Sequence, residues 1–147
     1  MQDMTEVKIF LADTYALIEL LGGNPNYKPY LNHALITTKF NLVELYYHFL
    51  HDYGKETADK YLQLYSKFVI PITYSSIRKG MEFKLKHEKI SKKFFVSQKS
   101  RSDFSGHKKE NLSYVDCIGY ALALELGVKF LTGDEKFENK DNVEYVK

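Results

Sequence analysis

The chain has no apolar run long enough to cross a bilayer, which excludes a helical membrane span. Its first residues, Met1-Gln2-Asp3-Met4-Thr5-Glu6, have neither the basic start nor the apolar stretch of a secretory signal. A cytoplasmic location with no membrane partner is therefore expected. Cysteine is nearly absent: Cys117 stands alone, so no intramolecular disulfide can form. Its neighbours are apolar and no basic group is adjacent, which reads as a reduced core side chain and not a nucleophile. Internal repeats, linkers and low-complexity tracts are also missing. A chain of 147 residues without such divisions is expected to be one domain, 1–147, around one core.

Apolar residues make up 44% and charged residues 27% of the chain, as in a soluble globular protein. The net charge of +2 hides an asymmetry. From Arg78 to Lys109, eleven Lys or Arg stand against Glu82, Glu88 and Asp103, a local +8, while the remainder is at −6. An acidic body with a basic helix and loop at about 78–111 suits a protein that holds a cation in one place and meets phosphates in another. A solvated lysine-rich surface accounts for the charge equally well.

Along the chain, 7–12 is a run of strand formers ending at Asp13-Thr14, after which Leu17, Leu20 and Leu21 take up helical spacing. A short helix is expected over 26–33 and a strand over 34–37. A longer helix over 39–52 has a stripe of Leu42, Leu45, Tyr46 and Phe49, widened by Val43, Tyr47 and Leu50. Asn41, Glu44, His48 and His51 fall on its polar side, where Glu44 and His48 form an i, i+4 pair. Helix 55–67 leads to a strand over 68–70, closed by Pro71. Ser75 or Ser76 can cap a helix built on Ile77, Met81 and Leu85, and 97–111 reads as an exposed loop.

The central stretch is 112–134. Val115, Ile118, Gly119, Leu122, Ala123 and Leu126 share one helical face, a buried strand follows at once, and 143–146 is the last strand. Strands alternating with helices give an α/β fold: a three-layer sandwich whose short, mostly parallel sheet of about five strands has helices on both faces. Ligands bind such sheets beyond the carboxyl ends of the strands. Asp13 and Asp134 both follow strands at that edge.

Each acid has a structural explanation. Asp13 can cap the helix after it, Ser113-x-x-Asp116 matches a capping pattern, and Asp134 is an ordinary turn residue. Together they would repel at one cleft, and a hard divalent cation with oxygen ligands offsets that repulsion.

Leu11-Ala12-Asp13-Thr14-Tyr15-Ala16-Leu17-Ile18, Asn41-Leu42-Val43-Glu44-Leu45, the run from Leu112 to Ala123, and Leu131-Thr132-Gly133-Asp134-Glu135-Lys136-Phe137 resemble, in order, the four signature blocks of the PIN-domain ribonucleases. The small single-domain VapC-type toxins are the nearest likeness. The resemblance implies a PIN-like fold in which Asp13, Glu44, Asp116 and Asp134 form a catalytic quartet holding Mg²⁺ or Mn²⁺, supported by Thr132, Asn41 and Thr14. It also implies an RNA substrate, an antitoxin protein partner and a homodimer. Asn41 stands where family members commonly have Ser or Thr, and the basic stretch is longer than in the usual toxin.

The expected activity is divalent-metal-dependent endoribonucleolysis, with the metal activating water for in-line attack on a phosphodiester. Lys84, Lys86, Lys89, Lys92, Lys93, Lys99, Arg101, Lys108 and Lys109 would hold the RNA backbone. Tyr15 could stack on an unpaired base, and His48 is a lesser candidate for proton transfer. Two alternatives stand beside the toxin: an RNA-processing PIN nuclease outside any toxin system, and a non-catalytic RNA-binding module. A phosphohydrolase with an aspartyl nucleophile would want Asp-x-Asp after the first strand, where Tyr15 occupies the second place.

Overall fold

The computed structural model describes residues 6–98 and 111–147, with the backbone alone at 89–98. Four short strands, β1 (Ile9–Ala12), β2 (Ala34–Ile36), β3 (Lys129–Thr132) and β4 (Val143–Tyr145), form one sheet in the order β2-β1-β3-β4. All pairings are parallel, with Leu11 beside Ile36 on one side and Phe130 on the other. Five helices surround it: α1 (Thr14–Leu21), α2 (Lys39–Tyr53), α3 (Lys55–Tyr65), α4 (Tyr74–Gln98) and α5 (Tyr114–Leu126).

The α/β sandwich read from the sequence is the fold observed, with four strands among the described residues where about five were expected. Segment 68–70 is the difference. It follows a 3₁₀ turn, Ser66–Phe68, and meets the sheet through the isolated bridge of Thr37 with Val69. The Ile70 amide donates to the Thr37 carbonyl, but Pro71 has no N–H with which to extend the ladder.

Side chains alternate across the sheet, and this separates two apolar layers. Phe10, Ala12 and Leu131 pack with Leu17, Leu42, Leu45 and Phe49 of α1 and α2. Leu11 and Phe130 pack the other way, on Cys117, Tyr120, Leu122 and Ala123 of α5. The single core expected from chain length is thus two clusters divided by the sheet. Helix α5 is buried nearly all round from Cys117 to Ala123, while Leu126, at its end, is exposed. Cys117 is buried, and burial pushes its thiol up to about 12, as a core cysteine requires.

Helix α4 lies against α5 at Gly80. A Cβ there would be 2.9 Å from the Cys117 carbonyl oxygen and 2.9 Å from the Ile118 Cα, so only glycine lets the two backbones approach this closely. The α4 cap is Thr73, upstream of the serines expected: Ser76 N–H donates to Thr73 Oγ1 at 2.9 Å, and Thr73 N–H to Ser76 Oγ at 3.1 Å. Ser97 and Gln98, expected in a loop, close α4; residues 99–110 of that loop lie outside the described residues. The helix expected over 26–33 is a 3₁₀ turn, Lys28–Asn32. On α2, Val43, Tyr47 and Leu50 are exposed, so the core stripe is the narrower one.

Candidate active site

The chain leaves β1 toward β2 on one side and returns to β3 on the other, so the topological switch point lies between β1 and β3. Their ends are joined there by the Asp13 amide, which donates to the Leu131 carbonyl at 3.1 Å. Asp13 leaves β1 and caps α1, its Oδ1 accepting from the Ala16 amide at 2.8 Å. Thr132, the last residue of β3, is fully buried. Its hydroxyl donates to Asp13 Oδ2 and accepts from the Asp134 amide at 3.0 Å, so one side chain fixes two acids.

Glu44 is presented by α2 through a relay that begins at the cap. Thr38 Oγ1 donates to Asn41 Oδ1 at 2.6 Å, Asn41 Nδ2 to Thr14 Oγ1 at 3.2 Å, and Thr14 Oγ1 to Glu44 Oε2 at 2.6 Å. Asn41 and Thr38 are each 1% exposed. Asn41 therefore lies in the interior, not on the polar face that helical spacing suggested. Thr38 was not foreseen as a site residue. Its position one residue before the helix and three before Asn41 was the available signal.

Asp116 sits in the first turn of α5, where the cap Ser113 accepts from its amide at 3.0 Å. Ser113 thus caps α5 as the sequence pattern suggested, and Asp116 in that first turn also lines the cleft. The start of α5 is tied to α4 by Lys84, whose Nζ donates to the Leu112 carbonyl at 2.6 Å and to Asn111 Oδ1 at 2.8 Å. The same ammonium pairs with Glu88 Oε1 at 2.8 Å. Lys84 is 8% exposed, so it anchors the protein's own backbone and does not join an RNA-facing surface. Lys86 is exposed; Lys89, Lys92 and Lys93 lie where only backbone is described, and Lys99, Arg101, Lys108 and Lys109 lie outside the described residues. His48 pairs with Asp52 at 3.4 Å in place of Glu44.

Asp13, Glu44, Asp116 and Asp134 line one cleft of about 1000 Å³. Burial, reinforced by the charges of Asp116 and Asp134, lifts the Asp13 carboxyl to about 8 against the opposing hydrogen bonds from Thr132 and Ala16. Burial, with the charges of Glu44 and Asp134 adding to it, lifts Asp116 to about 6 against Ser113 and Lys136. The donor set is wholly hard oxygen and its charges repel, which fits a divalent cation such as Mg²⁺ or Mn²⁺. The carboxylates are not drawn into a chelating group: among the described residues no three His, Cys, Asp or Glu form one. They are engaged with protein donors instead, Asp134 with the Lys136 amide at 3.0 Å and the Lys136 ammonium at 3.5 Å.

Sequence reasoning placed the basic surface on 84–109 and missed a second set of cations. Lys136, Lys140 and Lys147 line the same cleft as the acids. The signal for Lys136 and Lys140 was their position just after Asp134, in a stretch read as a polar connection, and Lys147 follows the last strand.

A parallel α/β sheet with a polyacidic cleft at its switch point is the class that the fold and site define. The chain belongs to the PIN domain family, whose model matches residues 10–143. Among solved structures it is similar to a toxin–antitoxin complex from Klebsiella pneumoniae, with 15% identity, a TM-score of 0.62, and coverage of 91% of this chain and 94% of that one. It is also similar to VapC20 of Mycobacterium tuberculosis, a sarcin–ricin loop cleaving toxin: 16% identity, TM-score 0.55, 94% and 99% covered. A third is VapBC-1 from nontypeable Haemophilus influenzae: 15% identity, TM-score 0.57, 93% and 96% covered. At these identities the likeness is one of fold. No curated protein sequence matches the chain.

Proposed function

We propose that the protein is a divalent-metal-dependent endoribonuclease, the toxin of a toxin–antitoxin pair. The observation that carries this is the convergence of four acids from four separate segments on the cleft at the sheet's switch point, two of them with carboxyls raised by burial and mutual repulsion. Asp13, Glu44, Asp116 and Asp134 would hold the cation; when bound, Mg²⁺ or Mn²⁺ supplies Lewis-acid stabilisation of the phosphate and a water acidic enough to attack at neutral pH. The chain's own part is positional. Thr132 fixes Asp13 and the turn bearing Asp134, Thr14 and Asn41 aim Glu44, and Lys84 holds the start of α5 so that Asp116 faces the cleft.

Family membership supports the reading, as does the likeness in fold to VapC20, a sarcin–ricin loop cleaving toxin. The toxin–antitoxin complexes among the relatives support an antitoxin partner. So does the exposed apolar face of α2, where Phe40, Val43, Tyr47 and Leu50 recur at helical spacing. The same kind of surface suits a homodimer. Among the described residues no helix is long and apolar enough to cross a membrane, consistent with action on RNA in the cytoplasm. Lys86 and the remaining lysines and Arg101 of 89–109 would hold the RNA backbone, without Lys84.

The test is cleavage of single-stranded RNA by purified protein with Mn²⁺ beside Asp116→Asn. Metal-dependent cleavage by wild type and a loss of at least roughly a hundredfold in the variant are expected. Equal cleavage by both, or none by either over a broad panel, would sink the proposal.

A further inference from the structure

We infer that Tyr15 is a base-stacking platform on the wall of the acidic cleft, so that a nucleotide beside the cleaved bond is held unpaired. The inference rests on the nuclease reading above and names the form of RNA that the site takes. Tyr15 is the second residue of α1, immediately after Asp13 and Thr14, and lines the cleft with the four acids. It is 42% exposed while its neighbours Ala16 and Leu17 are buried. A tyrosine with this much ring in an open cleft is not there to fill the core.

The ring is also held in place. A Cβ added to Gly133 would lie 2.0 Å from Tyr15 Cε1 and 2.5 Å from Cδ1, so the ring rests against the Gly133 backbone. Gly133 is buried between Thr132 and Asp134, and any larger residue would push the ring away. The sequence Thr132-Gly133-Asp134 thus does two things: it sets two site residues and it seats an aromatic ring beside them. A seated ring with an open face suits stacking, because little side-chain freedom remains to be lost on binding.

The surroundings match a nucleotide. Tyr145 and Ile18 share the wall with Tyr15, and Lys136 and Lys140 line the same cleft. The Lys136 ammonium is 3.5 Å from Asp134 Oδ2, so a cation stands beside the acids at the place where a backbone phosphate must pass. Aromatic rings accept any base by its π face but need the base out of its helix. Paired RNA buries that face within the duplex.

The test uses Asp116→Asn, expected from the nuclease reading to bind without cutting, and short single-stranded RNAs with 2-aminopurine at successive positions. In one register the fluorescence should be quenched on binding. Adding Tyr15→Ala should abolish that quench and weaken binding about tenfold, within the range for one base–aromatic stack. Tyr15→Phe should retain both, which separates loss of the platform from loss of the fold. A duplex of the same sequence should show no dependence on Tyr15.

Binding and quenching unchanged in Tyr15→Ala, equal loss in Tyr15→Phe, or no binding of any of the RNAs by the parent would overturn the inference. Tyr15-dependent quenching in a protein that cleaves nothing with Mn²⁺ would refute the nuclease reading and leave the platform standing. Cleavage of single strands by wild type and Tyr15→Ala at equal kcat/KM would remove the platform alone.

Discussion

Replacing Asp13 by Asn should stabilise the metal-free protein, and by more as pH rises. The carboxyl is 2% exposed and is lifted from 3.8 to about 8, chiefly by burial. Below 3.8 the folded and unfolded chains both keep the proton, and no penalty exists. Between 3.8 and about 8 the unfolded chain releases the proton while the folded chain retains it, so stability falls with pH. Above about 8 the full penalty is present. At about 1.4 kcal/mol per pH unit the whole span corresponds to an upper bound of roughly 5 to 6 kcal/mol.

The carboxamide of the variant keeps an acceptor for the Ala16 N–H but gives the Thr132 hydroxyl no carboxylate, a loss of ~1 to 3 kcal/mol. The net gain for Asp13→Asn in EDTA at pH 8 is then at most about 2 to 5 kcal/mol, or roughly 5 to 20 °C in Tm for a chain of this size. At about pH 4.5 the gain should vanish or reverse by ~1 kcal/mol. Thermal unfolding in EDTA at a series of pH values measures it. A difference that does not change with pH, or a variant less stable than wild type at pH 8, would refute the burial argument. Saturating Mn²⁺ should narrow or close the gap, since a ligand at about a hundred times its Kd adds ~2.7 kcal/mol to wild type.

Lys84→Met should cost about 2 to 4 kcal/mol in urea unfolding, because the Leu112 carbonyl, Asn111 and Glu88 lose a buried ammonium. RNA cleavage should fall with it even where the variant is fully folded, since the start of α5 positions Asp116; unchanged cleavage would show that the anchor is dispensable to the site. Thr132→Val keeps the volume but removes the hydroxyl shared by Asp13 and Asp134, and cleavage should drop at least about tenfold with Tm altered by only a few degrees. Gly80→Ala should destabilise by ~1 to 3 kcal/mol in chemical denaturation, despite alanine's higher helix propensity, because its Cβ meets backbone and not a movable side chain.

The fold was legible where one periodicity governed a segment. The apolar runs ending at Ala12 and Thr132 gave both strands that bear the site, and capping patterns placed Asp13 and Asp116 at helix starts. What failed depended on tertiary pairing. Segment 68–70 has strand composition, yet Pro71 and the preceding 3₁₀ turn leave it one bridge to β2's end. Asn41 looked polar and exposed because helical spacing cannot tell solvent from a buried hydrogen-bond relay. Lys84 looked like part of a basic surface because its three acceptors come from its own helix and from residues 27 and 28 positions onward. Asp13, Asp116 and Asp134 were legible as candidates because each sits at or near an element boundary, whereas helical spacing put Glu44 on a solvated face and only the family resemblance brought it into the set. The distances among them could not be read in sequence.

The division of the interior by the sheet bears on how this site can fail. Asp13 and Glu44 are carried by elements of one apolar layer, Asp116 by the other, and Thr132 and Asp134 by the seam between them. The gap across which the acids face each other is thus a measure of sheet thickness and of how tightly each layer grips it. A substitution that loosens the packing of α5 on Phe130 would widen the gap while leaving the opposite layer intact. Under the function proposed above, such a protein would stay folded and keep the exposed apolar face of α2 while losing catalysis, which makes the α5 layer the place to seek inactive forms.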